Sequence, residues 1–137
     1  MEGFVAPAYG ESSLGDVVPA VGRALGVGVP TGTVDPTGLV LPEAASYVVF
    51  LVDGLGSRLL ERYAHAAPYL SSLRSVAPSA TAGVPSTTAT SLTSLGTGLV
   101  PGAHGVVGFT SRIPGTDRLL NALFWDKDVD PLEWQPH

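Results

Sequence analysis

No cysteine occurs in the 137 residues, so disulfides and thiolate metal sites are both excluded. Any metal would have to be held by carboxylate, imidazole or hydroxyl groups. Charge is scarce as well: Asp, Glu, Lys and Arg make up 14% of the chain, against about 25% in an ordinary soluble domain. With a mean hydropathy of +0.30, the sequence carries less charge than its own surface should need. Either another chain covers part of that surface, or these residues form the inner part of a larger domain. Excess positive charge is also missing. A net charge of −5 lacks the basic footprint of phosphate binding and argues against a nucleic-acid groove. Long apolar runs are absent: the longest, Tyr47 to Val52, falls far short of the ~20 residues a membrane span needs. The opening MEGFVAPAYGESS has neither the basic nor the apolar region of a signal peptide. The expectation is therefore one modest domain, cytoplasmic and without membrane contact.

Periodicity supplies the elements. Leu14, Val17, Val18, Val21 and Leu25 recur at the spacing of one helical face, with Ser12 or Ser13 as a cap, Gly26 as a stop and Pro19 as an irregularity. GVPTGTVDPTGLVLPEAA reads as a long loop, with a short strand at Leu39 to Leu41. SYVVFLVDGLG is the clearest element: a continuous β-branched and aromatic run suits a strand buried on both faces of a parallel sheet. SRLLERYAHAAPYLSSL follows with helical spacing broken near Pro68, and RSVAPS offers a second short strand. A helix is expected from about Thr87 to Leu95, then a strand at GVVGFTSRI and a turn at PGTDR. This order predicts an α/β fold, a mostly parallel sheet flanked by helices. Residues 1–45 would form an N-terminal helix and loop, and residues 46–137 the α/β part of the domain.

In such a sheet ligands gather beyond the carboxyl ends of the strands. Asp53 stands at one. It is a cap or Asp-Gly turn residue on one reading and a rigidly held metal ligand on the other, with Gly54 and Gly56 allowing close approach. DGLG imitates part of a dinucleotide fingerprint, but the third glycine is replaced and that reading is discarded. The other conspicuous stretch is VPSTTATSLTSLGTGLVPGAHGV, where Ser86, Thr87, Thr88, Thr90, Ser91, Thr93 and Ser94 crowd together. Small hydroxyl residues cap helices and allow close packing, which explains most such runs. A helix start here would also attract phosphate through unpaired N–H groups. A threonine beside the phosphorus becomes a useful nucleophile when a metal lowers its pKa. Sequence alone leaves Thr87 and Thr88 both open for that role.

The order of VDG and then PSTTATSLTSLGTGLVPGAHG resembles the N-terminal part of the alkaline phosphatase superfamily, in its nucleotide pyrophosphatase/phosphodiesterase branch. The branch pattern PTKTFPNHxxxxTGLxPxxHG aligns without a gap. Pro85 falls on its first proline, Thr88 on its nucleophile, Thr97-Gly98-Leu99 on TGL, and Pro101 with His104-Gly105 on PxxHG. LLNALFWDKDVDPLEWQP matches the branch's next strand and NPxW region more loosely. FPNH is replaced by Ala89, Thr90, Ser91 and Leu92, so the asparagine that holds the phosphoryl group falls on the shorter donor Ser91.

The resemblance implies metal-dependent hydrolysis of phosphodiester or pyrophosphate bonds in small, nucleotide-type substrates. Thr88 would be the catalytic nucleophile and pass through a phosphothreonine. Asp53 and Thr88 would share one of two divalent metal ions, zinc in the resembled family. Ser91 and Thr87, with the N–H groups of the helix start, would bind substrate. It also implies that the remaining metal ligands lie in a C-terminal part of the domain outside these residues, which fits the low charge and leaves this stretch inactive alone. Phosphomonoesterase, phosphomutase and sulfatase chemistry use the same scaffold, the last disfavoured without cysteine, and a non-catalytic anion-binding module also fits the hydroxyl helix. His104 is read as shaping its turn, His65 as solvated, and Trp125 and Trp134 as packing residues. DKDVD imitates a calcium loop but has Pro131 where glycine is needed and His137 where glutamate is needed.

Overall fold

The computed structural model describes residues 4–28, 39–73 and 80–124. Helices dominate. Leu14–Asp16 form a 3-10 turn that runs directly into α1, Val17–Ala24. Pro19 falls in the first turn of α1, where its missing N–H would have had no helical partner, so the helix is not broken. Gly26 follows at φ 71°, a stop that favours glycine. The expected helix with a break near Pro68 is α2, Ser57–Arg62, a 3-10 turn at Ala64–Ala66, and α3, Pro68–Ser72. The hydroxyl-rich stretch forms α4, Thr88–Thr97, and Pro101–His104 form the short α5.

Among the described residues the expected mostly parallel sheet is not seen. The described strands are β1, Thr110–Arg112, and β2, Leu119–Asn121, paired antiparallel with Ser111 opposite Leu120. The predicted PGTDR turn joins them, and GVVGFTSRI contributes strand structure over Thr110–Arg112 alone. Parallel pairing among the described residues is limited to a single bridge between Ser13 and Thr81. Tyr47 to Val52 and Leu39 to Leu41 form no strand, and RSVAPS lies outside the described residues, as do Trp125, Trp134 and the DKDVD segment.

The correction at Tyr47 to Val52 has a physical cause. Strand propensity reports fit to a half-buried, paired surface, and a run without neighbours has nothing to pair with. Val48 is 92% exposed and Phe50 81%, so the segment predicted to be the most buried is among the most exposed.

The packed part lies elsewhere. The 3-10 turn at Leu14–Asp16 and α1 rest against α4, and α4 against α5. Ala20 and Ala89 are buried there with Ser13, Asp16, Thr90, Ser94 and His104. A second small core, Ile113 with Leu120, sits under the β1–β2 hairpin. Burying one such leucine stabilises by about 1.5–3 kcal/mol.

Candidate active site

Pro85 and Ser86 lead into α4, and Thr87 caps it. The Thr87 hydroxyl accepts from the Thr90 N–H at 3.5 Å and pairs with the Thr90 hydroxyl at 2.9 Å. Thr90 is itself fully buried. Thr93 and Thr97 donate back to the carbonyls of Ala89 and Thr93, at 2.8 and 2.7 Å, the usual resting bond of a mid-helix threonine. Ser94 meets His104 Nε2 at 2.9 Å in a buried contact. The crowded hydroxyls therefore divide, and these five serve the structure.

Thr88 does not. It is the first residue of α4, and its hydroxyl donates outward to Asp53 Oδ2 at 3.4 Å, a long bond in an exposed setting. Asp53 reaches that point from the exposed segment Val52 to Leu55, where Gly54 turns the chain at φ 73°. Ser91 lies three residues beyond Thr88, on the same helical face, and is half-buried. The structure thus brings Asp53 to Thr88, sets Ser91 one turn further on, and commits the hydroxyl of Thr87 to the cap.

The two site oxygens suit a hard or borderline divalent cation. At 3.4 Å they stand about as far apart as two ligands of one tetrahedral ion, roughly 3.3 Å for metal–oxygen bonds of about 2 Å. They supply one edge of a coordination shell. Among the described residues no group of three His, Cys, Asp or Glu side chains could complete it.

His104 is placed otherwise. The Val106 N–H donates to its Nδ1 at 3.1 Å, so the ring proton sits on Nε2 and is donated to Ser94. Burial pushes its pKa below the ordinary 6.5, with a backbone hydrogen bond working partly against that. A neutral imidazole clasping α4 to α5 is the result, as the turn reading expected. His65 is exposed, its ring tilted against Tyr63.

Sequence reasoning missed Tyr9, whose hydroxyl accepts from the Val84 N–H at 3.0 Å. Nothing local marks a lone tyrosine in an irregular segment. Asp16 was missed as well, although Ser13-Leu14-Gly15-Asp16 has the spacing of a capping box. Its carboxylate accepts from both the N–H and the hydroxyl of Ser13, each at 2.6 Å.

The sequence model of one family, described as type I phosphodiesterase / nucleotide pyrophosphatase, matches residues 47–137. The chain belongs to that family. The match takes in Asp53, Thr88 and Ser91 and leaves Tyr9 and α1 outside. Membership in the type I phosphodiesterase / nucleotide pyrophosphatase family places the chain within the alkaline phosphatase superfamily and indicates hydrolytic activity of that type. Comparison with curated proteins and with solved structures finds no match. No helix among the described residues is long and apolar enough to cross a membrane.

Proposed function

We propose that this chain carries the nucleophile half of a metal-dependent phosphodiesterase or nucleotide pyrophosphatase, with Thr88 as nucleophile. The observation that carries the reading is the Thr88 hydroxyl, directed at Asp53 at 3.4 Å from the first turn of α4, inside the family-matched segment. Thr88 Oγ1 attacks phosphorus, the oxygen–phosphorus bond forms, and the opposite ester or anhydride bond breaks with its electron pair leaving on the departing oxygen. The hydroxyl proton passes to solvent, and Asp53, whose Oδ2 lies 3.4 Å from the hydroxyl, stays an ionised carboxylate. Water then cleaves the phosphothreonine and restores the hydroxyl.

Two divalent ions, zinc by the family likeness, would neutralise the phosphoryl oxygens and lower the hydroxyl pKa when bound. Asp53 and Thr88 would contribute to holding one of them. The first N–H groups of α4 have no acceptor within the helix, and with Ser91 they would receive the phosphoryl oxygens. Thr87 supports substrate binding by fixing that helix start. The remaining ligands would come from outside the described residues. The exposed apolar face of Tyr47 to Val52 supports that view, since a run of this kind is ordinarily covered.

The test is phosphopeptide mapping after trapping the full-length gene product with a nucleotide phosphodiester. Label on Thr88, lost in Thr88→Ala and retained in Thr87→Ala, is the expected result. Label on Thr87, or on neither, would overturn the assignment.

A further inference from the structure

Residues ahead of the family-matched segment hold the approach to Thr88. Thr81 is bonded on both sides of its peptide, its N–H to the Ser12 carbonyl at 2.8 Å and its carbonyl to the Leu14 N–H at 2.9 Å. Its hydroxyl accepts from the Ala8 N–H at 2.8 Å. Three residues on, the Val84 N–H donates to the Tyr9 hydroxyl at 3.0 Å. Val84 is followed by Pro85, whose carbonyl accepts from the Thr87 N–H at 3.0 Å, and Thr87 is the cap. The path from Tyr9 to the Thr88 hydroxyl is therefore one short, hydrogen-bonded stretch of chain.

Gly83 is what lets the tyrosine reach. It is buried, and a Cβ there would stand 3.1 Å from Pro101 Cγ and 3.3 Å from the Tyr9 hydroxyl oxygen. A side chain at that position would push either the α5 proline or the tyrosine aside. Gly15 packs less tightly on the other flank, where a Cβ would lie at ordinary contact distance, 3.5 Å, from the carbonyl oxygens of both Ser94 and Leu99. One N-terminal strap thus grips α4 at its C-terminal end and the loop before its N-terminal end.

We propose that Tyr9, seated by Gly83, is a positioning residue for the phosphoryl-transfer step, fixing the Val84–Thr87 loop so that Thr88 Oγ1 keeps its place beside Asp53. This rests on the reading of Thr88 as nucleophile. Tyr9 touches neither substrate nor reacting atoms. Its hydroxyl removes the freedom of the loop, and a reacting atom misplaced by 1 Å costs on the order of a hundredfold in rate. Loss of one hydrogen bond loosens the loop by less than that, so the expected effect is about tenfold.

The experiment uses the full-length gene product and the variants Tyr9→Phe, Gly83→Ala and Thr88→Ala, assayed on a p-nitrophenyl phosphodiester. Rapid-quench measurement of phosphoenzyme formation is normalised to active sites, so that partly unfolded protein does not count. Tyr9→Phe keeps the ring and should lower kcat by about tenfold with KM within about twofold. Gly83→Ala, which disturbs the same contact from the other side, should lower kcat likewise. Amide exchange at Val84, followed by NMR or mass spectrometry, should quicken in Tyr9→Phe. If Thr88→Ala is silent while Tyr9→Phe and Gly83→Ala match the wild type per active site, the role of Tyr9 is overturned and the nucleophile stands. If Thr88→Ala keeps its phosphoenzyme, the nucleophile assignment fails and the positioning role fails with it. A rise in KM at constant kcat would also overturn the proposal, since it would put Tyr9 in substrate binding.

Discussion

Side chains of one chemical type do different work here because their positions differ by single residues. Thr87 and Thr88 are neighbours, yet one hydroxyl turns inward to Thr90 and the other outward to Asp53. Thr87→Ala is expected to cost about 0.5–2 kcal/mol of stability, the usual loss for an N-cap, read as a lowered urea midpoint. Thr88→Ala should leave that midpoint nearly unchanged. His104 gives a pH test with a definite sign. Its pKa is held below 6.5 by burial, so the unfolded chain takes up a proton that the folded chain refuses. The stability this group contributes is complete above about pH 6.5 and drains as the pH falls through the folded-state value. Urea midpoints should therefore decline from pH 6.5 towards 5.5, before most carboxylates titrate. His104→Asn should flatten that slope, and a slope unchanged in the variant would remove His104 as its source. Ser94→Ala leaves a buried N–H without its acceptor and should cost about 1–3 kcal/mol at neutral pH.

At the scale of elements, local signals were legible where the responsible contacts are local. The caps, the Pro68 break, the Gly26 stop and the PGTDR turn each depend on a few adjacent residues, and each stands where the sequence put it. α4 runs two residues past its expected end at Leu95, because Gly98 at φ 72°, rather than Gly96, closes it. The two glycines make a paired prediction. Gly96 lies inside α4 with nothing within 4 Å of a Cβ, so Gly96→Ala should raise stability by about 0.5–1 kcal/mol. Gly98→Ala would force a side chain into the left-handed region and should cost about 1–2 kcal/mol. Thermal melts of the two variants, shifted in opposite directions, are the check. The parallel sheet does not stand among the described residues, for the converse reason. YVVFLV announces a buried strand, but burial of a strand depends on what lies beside it, and a single run carries no information about its neighbours. The Asp53–Thr88 meeting spans 35 positions and was reached through a family pattern; periodicity and spacing do not carry it. Tyr9 had no signal of either kind.

For the whole molecule, the apolar run and the half-built site point the same way. Val48 and Phe50 are almost fully exposed within a segment that carries no charge from Ala44 to Val52. If that face is covered in the full-length gene product, Phe50→Ala should cost about 3–5 kcal/mol there. In residues 1–137 expressed alone the same change should leave the melt untouched and reduce self-association, as sedimentation velocity would show. An equal loss in both would mean that Phe50 is already packed within these residues. The donor set leads to the final expectation. Among the described residues Asp53 and Thr88 supply two ligands, whereas a catalytic zinc takes three from protein and keeps a further position open. Two divalent ions held close together repel strongly, and one carboxylate does not offset that repulsion. Residues 1–137 alone should therefore bind zinc weakly and turn over no p-nitrophenyl phosphodiester. Titration calorimetry with zinc, beside that assay, is decisive: tight stoichiometric binding or measurable turnover would mean that a complete site lies within these 137 residues, with ligands other than the pair at the start of α4.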